Sequence, residues 1–164
     1  MAVRVEDDTS FAVVVSREEG AWEVGVLPER LVDDLDGLIA ALRQQASDIG
    51  SIAFVDVADE FFVALRLRGG EVRILLSDVT AAVAWDLARE VVERLDLDVP
   101  GEDDLDDVWP AGDLSIFADL GLDEMELGAV LADGEAYADE MLTAIAERLG
   151  FGDAFQRAVD AAIG

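Results

Sequence analysis

One stretch of the chain decides the fold: FFVALRLRGGEVRILL, residues 61–76. Apolar and β-branched residues dominate both of its ends, a composition typical of β-strands. Gly69-Gly70 separates the two ends, and glycine readily adopts the positive φ angles that a tight two-residue hairpin requires. Residues 61–67 and 72–76 are therefore predicted to pair as antiparallel strands.

Three further strands and a helix are predicted before this hairpin. Residues 11–15 are a β-branched run, and the alternation over residues 22–26 indicates a half-buried strand in which Trp22 faces the core. An apolar stripe over residues 35–46 predicts a helix, preceded by two acids that favour a helix N-terminus. Residues 52–57 predict the strand that leads into the hairpin.

A second helix is predicted over residues 80–95, with Asp78 as its cap and Trp85 half-buried on its surface. The element order is then ββαβββα. This order indicates an α+β fold in which helices cover one antiparallel sheet.

The composition changes after this helix, which predicts three regions. Residues 1–95 form an α+β domain, residues 96–112 form an acidic linker interrupted by prolines, and residues 113–164 form a helical C-terminal segment. About 50 residues bury too little surface to be stable alone. The C-terminal segment is therefore expected to pack either on the first domain or on a second copy of the chain.

The composition also restricts the chemistry. The chain has 38 acidic residues against 11 basic ones, for a net charge of −27, and it contains no His, Cys or Lys. The apolar fraction of 52% still predicts a folded core. Without imidazole, thiol or amine side chains, the usual serine nucleophile systems and thiolate metal sites are excluded. We therefore predict a protein without enzymatic activity, with no catalytic residues, no metal site and no cofactor.

The charge also bears on partners and location. A charge of −27 repels nucleic acid backbones and anionic lipid, so neither is an expected partner. No signal peptide and no apolar run of about 18 residues is evident, which predicts a cytoplasmic protein. The acidity is either a compositional habit that gives solubility or a means of attracting a basic protein surface.

The densest acidic run supplies the candidate partner-binding site. It consists of Asp103, Asp104, Asp106 and Asp107, followed by Trp109. These acids do not match the calcium-loop signature. Aromatic residues are enriched at binding hot spots, so Trp109 beside the acids is a candidate contact point. The alternative is that Trp109 packs back on the sheet or on the last helices.

A series of short motifs runs along the whole chain: FAVVV from residue 11, DDL from 33, DEFFVALR from 59, LLSD from 75, GDL from 112, FADLG from 117 and AERLGF from 146. In the order and spacing of these motifs, the chain resembles the actinobacterial tRNA adenosine deaminase-associated protein family. The resemblance implies a link with tRNA adenosine deaminase but brings no catalytic motif. A zinc deaminase itself is excluded, since its metal site needs His and Cys ligands.

Residues 119–127 are similar to the attachment stretch of acyl carrier proteins, but Glu124 occupies the position of the modified serine, so carrier activity is excluded there. The stretch is better explained by Asp123 capping a helix, with Leu127, Val130 and Leu131 in the core.

The leading hypothesis is a non-enzymatic acidic accessory protein that binds tRNA adenosine deaminase or another basic protein surface. One alternative is a carboxylate-based, metal-dependent enzyme that acts on a small phosphorylated molecule. Another is a structural homodimer unrelated to tRNA.

Overall fold

The computed structural model describes residues 10–45, 47, 49–98, 101, 109–133 and 136–163. Its strands are β1 (Phe11–Glu18), β2 (Ala21–Val26), β3 (Ser51–Val57), β4 (Phe61–Arg68), β5 (Glu71–Leu76) and β6 (Ala111–Gly112). Its α-helices are α1 (Leu35–Arg43), α2 (Asp86–Arg94), α3 (Glu124–Leu131), α4 (Ala138–Leu149) and α5 (Gly152–Ile163). Shorter 3-10 helices cover Glu29–Asp33, Val79–Val83 and Ala118–Leu120.

The strands form one sheet in the order β2-β1-β3-β4-β5-β6, and every neighbouring pair is antiparallel. This confirms the predicted α+β fold. The β4–β5 hairpin turns at Gly69 and Gly70, whose φ angles of 60° and 84° lie in the left-handed region. The sheet has one more strand than predicted, because Ala111 and Gly112 pair with the end of β5.

The first face of the sheet is covered by α1, α2 and the 3-10 helices at Glu29–Asp33 and Val79–Val83. Alternate residues of the central strands, among them Val55, Val63 and Leu65, form its buried core with Leu38 and Val91. Such alternation is the expected pattern for a sheet that buries two different layers.

The predicted helix over residues 80–95 is wrong in one respect, since the chain leaves helical geometry at Trp85. Asp78 starts the first part as predicted, and its Oδ1 accepts a hydrogen bond from the backbone N–H of Thr80 at 2.9 Å. Arg89 stabilises the break: its guanidinium donates to the carbonyls of Ala82 and Val83 at 3.2 and 3.1 Å. In a continuous helix, backbone N–H groups would bind these carbonyls.

The second face of the sheet is covered by the C-terminal helices of the same chain. α5 contacts β1 and β2, while α4 contacts β3 and β4. Phe54 on β3 lies at the centre of this layer, with its ring centroid 5.9–6.0 Å from those of Phe117, Phe151 and Phe155. The division into separate domains stays a prediction, and most of the predicted linker lies outside the described residues.

An ion pair between a buried arginine and a partly exposed aspartate joins the second layer to the sheet. Arg66 is 1% exposed, and its guanidinium donates to both carboxylate oxygens of Asp119 at 2.6 and 2.9 Å. The same guanidinium binds the carbonyls of Ile49 and Ile116. The hydrogen bonds from Arg66 are the main cause that lowers the pKa of Asp119. The segment before α3 is thus held to β4 by a charged group whose hydrogen bonds are satisfied.

Asp123 caps α3 as predicted, since its Oδ1 accepts a hydrogen bond from the backbone N–H of Glu126 at 2.8 Å. Leu127 and Leu131 are buried in the second core, and Val130 packs against it. The similarity to acyl carrier proteins is therefore explained by a capped helix.

Candidate partner-binding surface

Five carboxylates lie close together on the first face of the sheet. Asp33 and Asp34 directly precede α1, Asp36 lies in its first turn, Asp86 begins α2, and Glu90 follows one turn later. We call this set the acidic patch. Acids at these positions are favoured locally because the helix N-terminus carries a partial positive charge. Asp34 also caps α1, because its Oδ1 accepts a hydrogen bond from the backbone N–H of Gly37 at 2.9 Å.

The packing of α1 against α2 brings the acids of both helices into one electric field. The pKa of Glu90 is raised, first by burial and then by the negative charges of Asp36, Asp34, Asp86 and Asp33. The negative charges of the acidic patch repel one another in the free protein. A positively charged group placed over the acidic patch would offset this repulsion.

A cleft with an exposed tryptophan lies beside the acidic patch. Its volume is about 510 Å³, and Val57, Leu87 and Trp85 contribute apolar walls. One part of the Trp85 indole packs on Phe61, with ring centroids 6.0 Å apart, while 36% of the residue stays exposed. We call this the Trp85 cleft. The helix break positions Trp85, since the residue is extended (φ −120°, ψ 129°) rather than helical.

Four of the five sequence-predicted site residues, Asp103, Asp104, Asp106 and Asp107, lie outside the described residues. Trp109 is described and is 39% exposed. Its carbonyl accepts a hydrogen bond from the backbone N–H of Val79 at 2.9 Å. Trp109 is thus attached through its backbone to the 3-10 helix that leads to Trp85. Its role in binding stays a prediction.

A second group of carboxyls lies at the turn between β3 and β4. Asp56 is 2% exposed, and its Oδ1 accepts a hydrogen bond from the backbone N–H of Asp59 at 2.9 Å. Asp59 in turn accepts a hydrogen bond from the backbone N–H of Asp139 at 3.0 Å, at the start of α4. The turn residues Ala58 and Asp59 have positive φ angles of 53° and 59°. These bonds connect the turn between β3 and β4 to the start of α4.

Burial, followed by the negative charge of Asp59, raises the pKa of Asp56 to about 8. Burial is also the main cause that raises the pKa of Asp59 to about 6, to which Asp139 adds. Paired carboxyls with raised pKa values occur at acid–base catalytic sites. Here Asp56 is closed off from solvent, so a substrate could reach it only if the turn between β3 and β4 opened.

Within the described residues, no group of three or more Asp or Glu side chains is arranged to hold a metal ion. In the same part of the chain, no helix combines the length and apolar character needed to cross a bilayer.

Sequence reasoning missed the acidic patch and the role of Trp85. The acids before α1 were assigned only to the helix dipole, and Trp85 was placed within a continuous helix. One signal for the site is present at α1, because two acids precede the predicted helix over residues 35–46. Asp86 and Glu90 lie within the predicted helix over residues 80–95, and the sequence does not show that they lie beside the start of α1.

The described residues thus define an acidic α+β protein whose antiparallel sheet lies between two helical layers and carries an acidic patch beside an exposed aromatic residue. The chain belongs to the family described as Rv3753c-like tRNA adenosine deaminase-associated protein, whose model matches residues 10–152. The family resemblance inferred from the short motifs is therefore confirmed.

A curated relative supports the same assignment. The chain is 40% identical over 152 residues to Protein Rv3753c of Mycobacterium tuberculosis (strain ATCC 25618 / H37Rv), a match that covers 92% of this chain and 87% of the relative. The similarity therefore extends across both helical layers and the sheet. No solved structure matches the chain significantly.

Proposed function

We propose that this chain is a non-enzymatic accessory protein that binds tRNA adenosine deaminase, or another protein with a basic surface, through its acidic surface. The observation that carries the proposal is the acidic patch, in which carboxylates of two helices are held together against their mutual repulsion. The family description supplies the link with tRNA adenosine deaminase. The proposal includes a cytoplasmic location and no direct contact with nucleic acid.

The mechanism is electrostatic. A protein that binds tRNA needs a positively charged surface, and a net charge of −27 attracts such a surface over distances set by the ionic strength. Complementary charge increases the rate of association and disfavours wrong partners. In its strongest form, the acidic surface would compete with tRNA for the same basic surface of the deaminase.

The test measures binding of the purified chain to tRNA adenosine deaminase by calorimetry at low and high salt. We expect binding at low salt that weakens as salt rises, because exposed charges are screened. In a competition assay, added tRNA should displace the chain from the deaminase if the two share one basic surface. No binding at low salt, or binding independent of salt, would contradict the proposal.

A matched pair of variants tests the location. The patch variant Asp36→Asn, Asp86→Asn, Glu90→Gln and the control variant Glu18→Gln, Glu23→Gln, Glu147→Gln each remove three carboxylates. We expect roughly tenfold weaker binding for the patch variant, at about 0.5 kcal/mol for each exposed charge. The control variant should lose clearly less. Equal losses would show that net charge alone, rather than the acidic patch, determines binding.

A further inference from the structure

The Trp85 cleft has the size and walls of a binding site for a short protein segment. Its volume of about 510 Å³ lies within the range of roughly 300–1,000 Å³ found for ligand sites in proteins. Its floor is apolar, since Val57 is 6% exposed and Leu87 is 1% exposed. An apolar floor with polar groups at the rim can accept one apolar side chain and one charged side chain from the same segment.

The rim of the cleft favours a positive charge. Glu29, Asp33 and Asp86 line it, against the guanidinium of Arg30, and Arg89 pairs with Asp86, its Nη1 lying 3.7 Å from Oδ1. The remaining acids of the acidic patch lie next to Asp33 and Asp86 and add to the same field. An anionic occupant such as an RNA phosphate would be repelled from this position. The charge therefore selects a basic protein segment.

The exposed indole distinguishes arginine from lysine. Trp85 is packed on Phe61 on one side and leaves 36% of its surface open, at the point where carboxylates line the rim. A guanidinium can stack on an indole and bind a carboxylate through two parallel hydrogen bonds at once. A lysine ammonium lacks this planar geometry.

We infer that the Trp85 cleft binds an arginine-bearing segment of a protein partner, with the guanidinium over the Trp85 indole and against the carboxylates of Asp33 and Asp86. An apolar side chain next to that arginine occupies the floor formed by Val57 and Leu87. The inference rests on the proposed function, since it names the partner chemistry at one edge of the acidic patch.

The test uses a fluorescently labelled ten-residue peptide of Arg, Leu and Gly, with anisotropy as the readout at low salt. Two matched peptides replace each Arg by Lys or by citrulline, which keeps the shape and lacks the charge. We expect the Arg peptide to bind, the Lys peptide to bind several-fold more weakly, and the citrulline peptide to lose binding by tenfold or more. Equal binding of the Arg and citrulline peptides would overturn the inference.

Variants of the chain locate the peptide. Trp85→Ala should weaken binding of the Arg peptide by about tenfold or more, as truncation of an aromatic hot spot does. Trp85→Phe should restore much of the affinity. Trp109→Ala, which removes a similarly exposed tryptophan, should change it less than about twofold. Asp33→Asn with Asp86→Asn leaves the indole in place and should weaken both binding and its salt dependence. Equal losses for the Trp85 and Trp109 variants would overturn the inference.

A second experiment measures binding of the wild-type chain and of Trp85→Ala to tRNA adenosine deaminase. If the wild-type chain binds the deaminase and Trp85→Ala binds it equally well, the inference fails and the proposed function stands. If the chain does not bind the deaminase but binds the Arg peptide at Trp85, the proposed partner fails and the inference stands.

Discussion

Replacement of Asp56 by Asn should remove a large part of the pH dependence of stability. Asp56 is 2% exposed, and its pKa in the folded protein is raised from the model-compound value of 3.8 to about 8, chiefly by burial. The unfolded chain releases this proton near pH 4, whereas the folded chain retains it. The carboxyl thus contributes stability below pH 4 that is lost progressively as pH rises toward 8.

The size of the effect follows from the two pKa values. Each pH unit between them removes about 1.4 kcal/mol from the free energy of unfolding, so Asp56 alone removes on the order of 4 kcal/mol between pH 4 and pH 7. That is a large share of the roughly 5–15 kcal/mol typical of a domain. An asparagine keeps an oxygen that can accept the hydrogen bond from the backbone N–H of Asp59, and it has no proton to lose.

The assay is urea unfolding followed by circular dichroism, at pH 4, 5.5, 7 and 8, for wild type and Asp56→Asn. The difference in the free energy of unfolding between the two proteins should grow with pH in favour of the variant. Glu18→Gln is the matched control, because it lowers the negative charge by one at an exposed site and reports the general effect of charge. Parallel pH curves for wild type and Asp56→Asn would refute the reasoning.

Three further substitutions test the contacts that hold the layers together. Asp119→Ala leaves Arg66 buried without its carboxylate and should cost about 2–3 kcal/mol, less than for a fully buried pair because Asp119 is 39% exposed; a calorimetric melting curve unchanged from wild type would contradict this. Gly112→Ala places a Cβ atom against the β5 backbone at a φ of 107° and should cost more than about 2 kcal/mol, whereas Gly70→Ala, with open space around its Cβ position, should cost only about 1–2 kcal/mol. Arg89→Met removes the donors to two helix-end carbonyls and should lower stability by about 1–3 kcal/mol, with the loss in α2 visible as faster amide hydrogen exchange there.

The sequence predicted those features that depend on neighbouring residues. The β4–β5 hairpin follows from Gly69-Gly70 between two apolar runs, and both glycines adopt the positive φ angles that this turn needs. The caps at Asp78 and Asp123 follow from an acid placed just before an apolar helical pattern, and both carboxylates accept the expected backbone hydrogen bonds. These interactions span two or three residues, so the local sequence contains both partners.

Features that depend on distant partners were not predictable. Arginine side chains are mostly exposed in folded proteins, yet Arg66 is buried because Asp119, 53 residues later, lies over it. The break at Trp85 depends on a side chain beyond the break, Arg89, which binds the free carbonyls. The acidic patch depends on α1 and α2 lying side by side. Hydrophobic periodicity predicts single helices and strands, and it does not predict any of these contacts.

The placement of charge supports the proposed role of the acidic surface in binding. Among the described residues, Asp56 is the one acid buried below the surface, so the other described carboxylates lie partly or fully exposed. Several arginines are already engaged with acids or carbonyls of their own chain, including Arg66, Arg89 and Arg148. Arg89 also pairs with Asp86, with Nη1 3.7 Å from Oδ1, so the charge of the acidic patch is balanced in part, and the repulsion that remains disfavours the compact free state. Burial, followed by the negative charges of the acidic patch, raises the pKa of Glu90, and a basic partner seated on the patch would offset the charge contribution. Under the proposed function, the same carboxylates oppose the stability of the free chain and favour its association, as is common where stability is limited by function.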